Sequence, residues 1–293
     1  MAILVDRHSR ILIQGITGGT GRSYARRMIA HGTPLVGGVS PGKGGQIVEG
    51  VPVFNSMREA VLATDADAVL SALPRDRALD GIYEAVEAGI RLAVLYSENV
   101  PVHDAIHMRA FAIARGTRLL GPNSAGVISA GEANLSDIND ANVRRGRIGI
   151  VSKSGTLTYE VIESLQARGL GVSSVVCLGG DRVIGTAYTD VLPLFDGDDD
   201  TDAVVLIGEP GGTLEHAAAA MMQSMRKPVI AYITAQHAPP EKRLGHAGAI
   251  SSIAGAPAGA AAKVRAFREA GCETAALLTE VAPAVARVLA TMH

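Results

Sequence analysis

The stretch Ile11-Leu-Ile-Gln-Gly15-Ile-Thr-Gly-Gly-Thr-Gly21 decides the fold, because three aliphatic residues and a glutamine break into a glycine string and a helical pattern begins at Thr20. A buried strand that turns through glycines into a helix is the opening unit of a doubly wound sheet. Glycines let the backbone approach an anion, and the first turn of the helix offers it free N–H groups. The spacing is not strict G-x-G-x-x-G, so a phosphate-binding loop and a plain glycine-rich turn both remain open.

Outward from this unit, short β-type runs at 35–39, 68–72, 92–96 and 118–120 alternate with helical patterns at 20–30, 56–63, 78–88 and 105–114. They predict a five-stranded Rossmann-like domain over 1–122. Periodicity fades across 123–146, which reads as a connecting segment rather than an element. It then restarts with strands expected at 148–151, 175–178, 203–207 and 229–233, and helices at 156–167, 213–225, 259–270 and 281–291. Residues 147–293 therefore read as a second doubly wound domain.

A length of 293 residues suits two domains, and 47% hydrophobic content supplies their cores. A formal net charge of -2 without a Lys/Arg block leaves no electrostatic footprint for nucleic acid, and 3% aromatic content with no Trp argues against base stacking. Two cysteines without metal-ligand spacing point to core thiols in a reducing compartment and to no metal site. The acidic run Asp196, Asp198, Asp199, Asp200 and Asp202 lacks the spacing of a calcium loop and reads as a solvated loop. The charges Asp6 and Arg7 precede no long apolar region, and no stretch suits a bilayer, so a cytoplasmic protein is expected.

Several residues carry chemistry. The second strand ends Gly37-Gly-Val-Ser40 with no carboxylate of the kind that holds NAD ribose hydroxyls, which argues against a nicotinamide-dependent oxidoreductase. Lys43 follows in a glycine loop, where it is either a solvated lysine or a cation for a ribose phosphate or pyrophosphate such as coenzyme A carries. In the second half, Ser152-Lys-Ser-Gly-Thr156 lies between a strand and a helix with no acidic residue before Glu160, an anion seat or a simple cap. Glu209 ends the strand expected at 203–207, at the sheet edge where such folds keep their sites, and could orient a histidine. Arg75, Asp76 and Arg77 end another strand and either touch a ligand or cap the next helix. His246, in Lys242-Arg-Leu-Gly-His-Ala-Gly-Ala-Ile250, is flanked by residues too small to crowd it, and its neutral ring nitrogen is a nucleophile near pH 7.

Taken together, 37–45 (GGVSPGKGG), 51–55 (VPVFN), 121–128, 149–160 (GIVSKSGTLTYE), 208–212 and 242–250 (KRLGHAGAI) resemble the α subunit of succinyl-CoA synthetase and its relatives, the NDP-forming acid–CoA ligases. The resemblance runs over nearly the whole chain. It implies an N-terminal Rossmann-like CoA-binding domain followed by a flavodoxin-like ligase domain. It further implies that His246 is phosphorylated by ATP or GTP, held with Mg on a partner β subunit in an αβ or α2β2 assembly. The phosphoryl group then passes to a small carboxylic acid, and CoA attacks the acyl phosphate.

By the same resemblance Glu209 holds the histidine, and the helix entered through Ser154, Gly155 and Thr156 stabilises the phosphohistidine. Thr17, Gly18, Gly19, Thr20, Lys43, Tyr96, Ser97 and Glu98 match the CoA-binding positions, and Tyr159 matches the substrate-side tyrosine. The chain departs from the family pattern at Ser124, where Cys is usual, at 73–77 (LPRDR) and at 181–185 (DRVIG), which replaces an Asp-Pro loop. These departures bear on the acid, so malate or sulfoacetate stands beside succinate, and a non-catalytic CoA-binding regulator is the alternative class.

Overall fold

A computed structural model describes residues 2–237 and 259–292. The first sheet is built from β1 (Ile11–Gln14), β2 (Leu35–Val39), β3 (Ile47–Val48), β4 (Val51–Phe54), β5 (Ala68–Ser71), β6 (Leu92–Leu95) and β7 (Arg118–Leu120), in the order β3-β4-β2-β1-β5-β6-β7. All neighbours are parallel except the β3–β4 hairpin, whose turn residues Glu49 and Gly50 both take positive φ, as a two-residue hairpin of this twist requires. Helices α1 (Gly19–His31), α2 (Met57–Thr64), α3 (Ala78–Glu87) and α4 (Val102–Arg115) cover it. The strand order reverses between β1 and β5, so the glycine loop after β1 and the turn after β5 border one crevice.

Residues 126–136, within the stretch expected to be a connection, instead form strands β8 (Gly126–Ser129) and β9 (Ala133–Ser136) on the edge of the second sheet. Their Ser and Asn content hides them from a hydrophobicity reading. Those polar groups are buried but bonded: Asn134 Nδ2 donates to the Ile138 carbonyl at 3.0 Å and Ser129 Oγ meets Ser174 Oγ at 3.1 Å. The sheet continues with β10 (Arg145–Ser152), β11 (Val172–Cys177), β12 (Ala203–Gly208), β13 (Val229–Ile233) and β14 (Glu273–Ala275), in the order β14-β13-β12-β10-β11-β8-β9. Its five parallel strands have the flavodoxin-like sequence, with the reversal between β10 and β12.

Helices α5 (Gly155–Ala167), α6 (Tyr188–Asp196), α7 (Leu214–Met221), α8 (Ala260–Glu269) and α9 (Val281–Ala290) flank this sheet. Asp196 and Asp198 do not belong to a solvated loop: Asp196 ends α6 and accepts the Arg226 and Lys227 N–H groups, and Asp198 is buried and accepts the Thr201 hydroxyl. A continuous core links the two sheets, running from Ile11 and Leu70 through Leu135 to Val151 and Val204. Among the described residues no helix is long and apolar enough to cross a membrane.

Candidate active site

The carboxyl edge of the first sheet faces the start of α5 across a cavity of 760 Å³. Of the residues that the resemblance assigns to CoA, phosphate and acid, eight line it: Thr20, Tyr96, Ser97, Glu98, Ser154, Gly155, Thr156 and Tyr159. Thr17, Gly18, Gly19 and Lys43 are not in its wall but lie along the same edge, where Thr17 Oγ1 donates to Ser40 Oγ at 3.0 Å and the Lys43 N–H donates to the Ser40 carbonyl at 3.0 Å. Lys43 is exposed.

The glycine loop is shaped for close backbone approach. Gly15 takes φ +77, and a Cβ on Gly21 would fall 2.3 Å from the Gly15 carbonyl oxygen, so α1 sits directly on the turn. Gly18 caps α1 without a side-chain bond and no acid follows in the first turn, leaving the N–H groups for an anion. Those features, with the cavity beyond them, fit a phosphate-bearing chain such as that of CoA. At the next loop Ser97 Oγ donates to the Leu73 carbonyl, and Tyr96, 40% exposed, stands edge-on to Tyr24 with ring centroids 5.4 Å apart.

Ser154 caps α5 by accepting the Leu157 N–H, while the Gly155 and Thr156 N–H groups have no acceptor among the described residues. Cap and anion seat thus coexist, since one hydroxyl satisfies only one of the four open donors. Lys153, only 6% exposed, makes no side-chain hydrogen bond or ion pair among the described residues and forms part of the same wall.

Tyr159 donates from Oη to Asp137 Oδ1 at 2.7 Å. Burial raises the Asp137 pKa, against the lowering effect of that bond, and burial followed by the Asp137 contact raises the Tyr159 phenol. Sequence reasoning missed Asp137, because its stretch reads as irregular and its partner lies 22 positions away.

Ser124 is buried; its Oγ donates to the Cys177 carbonyl at 2.6 Å and accepts the Gly126 N–H at 2.9 Å. Burial pushes the Cys177 thiol up to about 12, which leaves it without nucleophilic character near neutrality. In the 73–77 turn, Arg75 reaches the cavity wall, whereas Asp76 and Arg77 face solvent 3.9 Å from one another.

Glu209 is 4% exposed, and its Oε2 is buried with no hydrogen-bond partner among the described residues. A carboxylate in that state is costly unless a donor reaches it. Its loop is clamped from beneath: Lys263 Nζ donates to the Glu209 and Gly211 carbonyls at 2.7 and 2.6 Å and pairs with Glu215, both side chains being fully buried. Burial lowers the Lys263 pKa while the Glu215 charge opposes that shift. His246 lies outside the described residues, in the connection between β13 and α8. Among the described residues no cluster of His, Cys, Asp and Glu is placed to hold a metal ion.

Comparison with known proteins agrees with this layout. A CoA binding domain model matches residues 6–99 and a CoA-ligase model matches 151–287. The succinate–CoA ligase [ADP-forming] subunit alpha 1 of Archaeoglobus fulgidus is 46% identical over 289 residues, 99% of each chain. The chain belongs to the succinate–CoA ligase α-subunit family. Within that family the Staphylococcus aureus α subunit is 43% identical over 282 residues, covering 96% of this chain and 93% of its own. An ATP citrate lyase from Methanothrix soehngenii in complex with citrate and coenzyme A superposes with a TM-score of 0.88 at 23% identity, over 99% of this chain and 51% of that one. This chain spans about half of that longer polypeptide, and the likeness establishes the shared fold.

Proposed function

We propose that this chain is the CoA-binding, phosphoryl-carrying subunit of an ADP-forming acid–CoA ligase, working with a nucleotide-binding β subunit. The division is a CoA-binding domain over 1–122 and a ligase domain over 147–293, to whose sheet β8 and β9 of the intervening segment are added. The observation that carries the reading is Glu209, a buried carboxylate with an unpartnered oxygen at the sheet edge. It is suited to accept one imidazole N–H of His246 and leave the other nitrogen free to attack phosphorus.

In the first step the His246 nitrogen bonds to the γ-phosphorus of a nucleotide on the partner subunit and the bond to ADP breaks. In the second, a carboxylate oxygen of the acid attacks that phosphorus and the P–N bond breaks, with the imidazole returned to Glu209. The N–H groups of Gly155 and Thr156 and the Lys153 ammonium, on residues that line the cavity, would neutralise the moving phosphoryl oxygens. Tyr159, fixed by Asp137, orients the acid. Bound CoA supplies the thiol that takes the acyl group from the acyl phosphate as the C–O bond breaks and inorganic phosphate leaves, and Thr17, Gly18, Gly19, Thr20, Lys43, Tyr96, Ser97 and Glu98 are the residues that would hold it.

The names of the curated relatives support succinate as the acid and ATP as the donor; malate and sulfoacetate are the alternatives to screen, because Arg75 brings a charge to the cavity wall. A cytoplasmic location goes with this reading. The test is to co-express the chain with its β partner, supply γ-labelled ATP or GTP with Mg, and look for acid-labile, base-stable label on this subunit. Label that vanishes in His246→Ala while CoA affinity holds is the expected result. A stable complex that takes no label from either nucleotide would instead make this chain a CoA-binding regulator.

A further inference from the structure

Lys263 and Glu215 form an ion pair whose side chains are both fully buried, and the polar atoms of the pair are spent on each other and on the loop that carries Glu209. The ammonium has three N–H donors, and they go to the Glu209 carbonyl at 2.7 Å, the Gly211 carbonyl at 2.6 Å and Glu215 Oε2. The other Glu215 oxygen accepts the Glu209 N–H at 3.2 Å. The main chain of Glu209 is thus held at its N–H from α7 and at its carbonyl from α8, while its side-chain Oε2 is buried and unpartnered among the described residues. Glu215 reaches this place because residue 208 has no side chain: a Cβ on Gly208 would lie 2.8 Å from Glu215 Cγ.

A buried ion pair stabilises a fold no more than a well-packed apolar pair of the same volume, because desolvation of the two charges offsets their attraction. What it adds is direction, since donors and acceptors at set angles fix one stretch of backbone. With its three donors used and its side chain sealed from solvent, Lys263 has nothing left to offer a substrate. It also lies in the first turn of α8, so the same ammonium joins the helix that follows the His246 segment to the Glu209 loop. Given that Glu209 receives the His246 imidazole as proposed above, we propose that Lys263 and Glu215 are positioning residues for the phosphoryl transfer, clasping the Glu209 main chain so that its carboxylate meets the histidine.

The test compares Lys263→Met, Glu209→Gln and their combination in the full chain with its β partner. A carboxylate beside an imidazole raises its pKa, so the His246 resonance, identified by its loss in His246→Ala, is expected to titrate lower in Glu209→Gln, toward the ordinary value of about 6.5. Lys263→Met is expected to move it the same way and to slow labelling from γ-labelled ATP by about tenfold or more, with the nucleotide KM and CoA affinity within about twofold. The combination should be no slower than Glu209→Gln alone by more than about twofold, because residues that act through one another are not additive. Should the unpaired Glu215 charge unfold Lys263→Met, Glu215→Gln with Lys263→Met loses the same carbonyl ties without it. If Glu209→Gln leaves both readouts unchanged, the pairing with His246 fails and the positioning role with it. If Glu209→Gln changes them and neither Lys263 variant does, the pairing stands and the positioning role alone is overturned. Additive effects in the combination, or a loss of CoA affinity in step with the labelling rate, also overturn it.

Discussion

Asp137 shows how one residue sets another without touching the reacting atoms. It comes from the end of β9, is held by Arg27 Nη1 on its own carbonyl at 2.7 Å, and takes the Tyr159 hydroxyl. Because burial raises its pKa above the ordinary 3.8, the folded state binds a proton more readily than the unfolded chain does. The stabilisation from that proton is fully present below about pH 3.8 and is lost as pH rises through the raised folded value. Asp137→Asn removes the titration but keeps an acceptor for Tyr159. Relative to this variant the wild type should therefore lose stability between about pH 4 and neutrality, measured as denaturant midpoints across that range. A difference that does not change with pH would show that burial at Asp137 is without energetic consequence.

At the scale of elements, the contact of α1 with the glycine loop is the most constrained junction. A methyl at Gly21 would lie 2.3 Å from the Gly15 oxygen and 2.7 Å from the Ile16 Cα, both backbone atoms that cannot step aside without moving the helix. Gly21→Ala should cost about 1–3 kcal/mol of stability, the usual toll of overpacking, and lower CoA affinity at least tenfold. Gly19→Ala, with open space at its Cβ, should leave the denaturation midpoint unchanged. Equal midpoints for the two variants would contradict this account of the loop.

The glycine loop was legible in the sequence because its chemistry is local, and so were the long buried strands and the helix start at Ser154. What escaped has physical reasons. α6 has buried residues at 188, 191, 192 and 195, a helical spacing, but Pro193 interrupts the reading. β4 carries Pro52, tolerated beside the two-residue edge strand β3, and β14 is only three residues long. In the site, Ser154, Gly155 and Thr156 could be found from a helix start. Asp137 could not, since only the folded chain brings it to the cavity.

On the scale of the whole molecule, the loop bearing Tyr96, Ser97 and Glu98 is tied to the second domain rather than left to the first. Asp181, buried in the loop after β11, accepts the Val100 N–H at 3.1 Å and the Asn99 N–H at 3.3 Å. Beside it the Gly121 N–H donates to the Leu178 carbonyl, the Gly185 N–H to the Gly121 carbonyl and the Gly180 N–H to the Asn123 carbonyl, at 2.8, 2.8 and 2.9 Å. With a core that crosses from one sheet to the other, these bonds leave little for either domain to do alone. Heat should therefore unfold the chain in one transition. CoA at about a hundred times its dissociation constant should raise the stability of the whole by about 2.7 kcal/mol, slowing proteolysis in α6 and α9 as well as beside the glycine loop. Asp181→Ala leaves two N–H groups without their acceptor, one of them buried, and should cost about 1–3 kcal/mol across that single transition. Asp181→Asn, which keeps one oxygen, should cost less. Two separated transitions in the wild type, with only the first moved by CoA, would mean that the ties at Asp181 and Gly121 do not couple the domains.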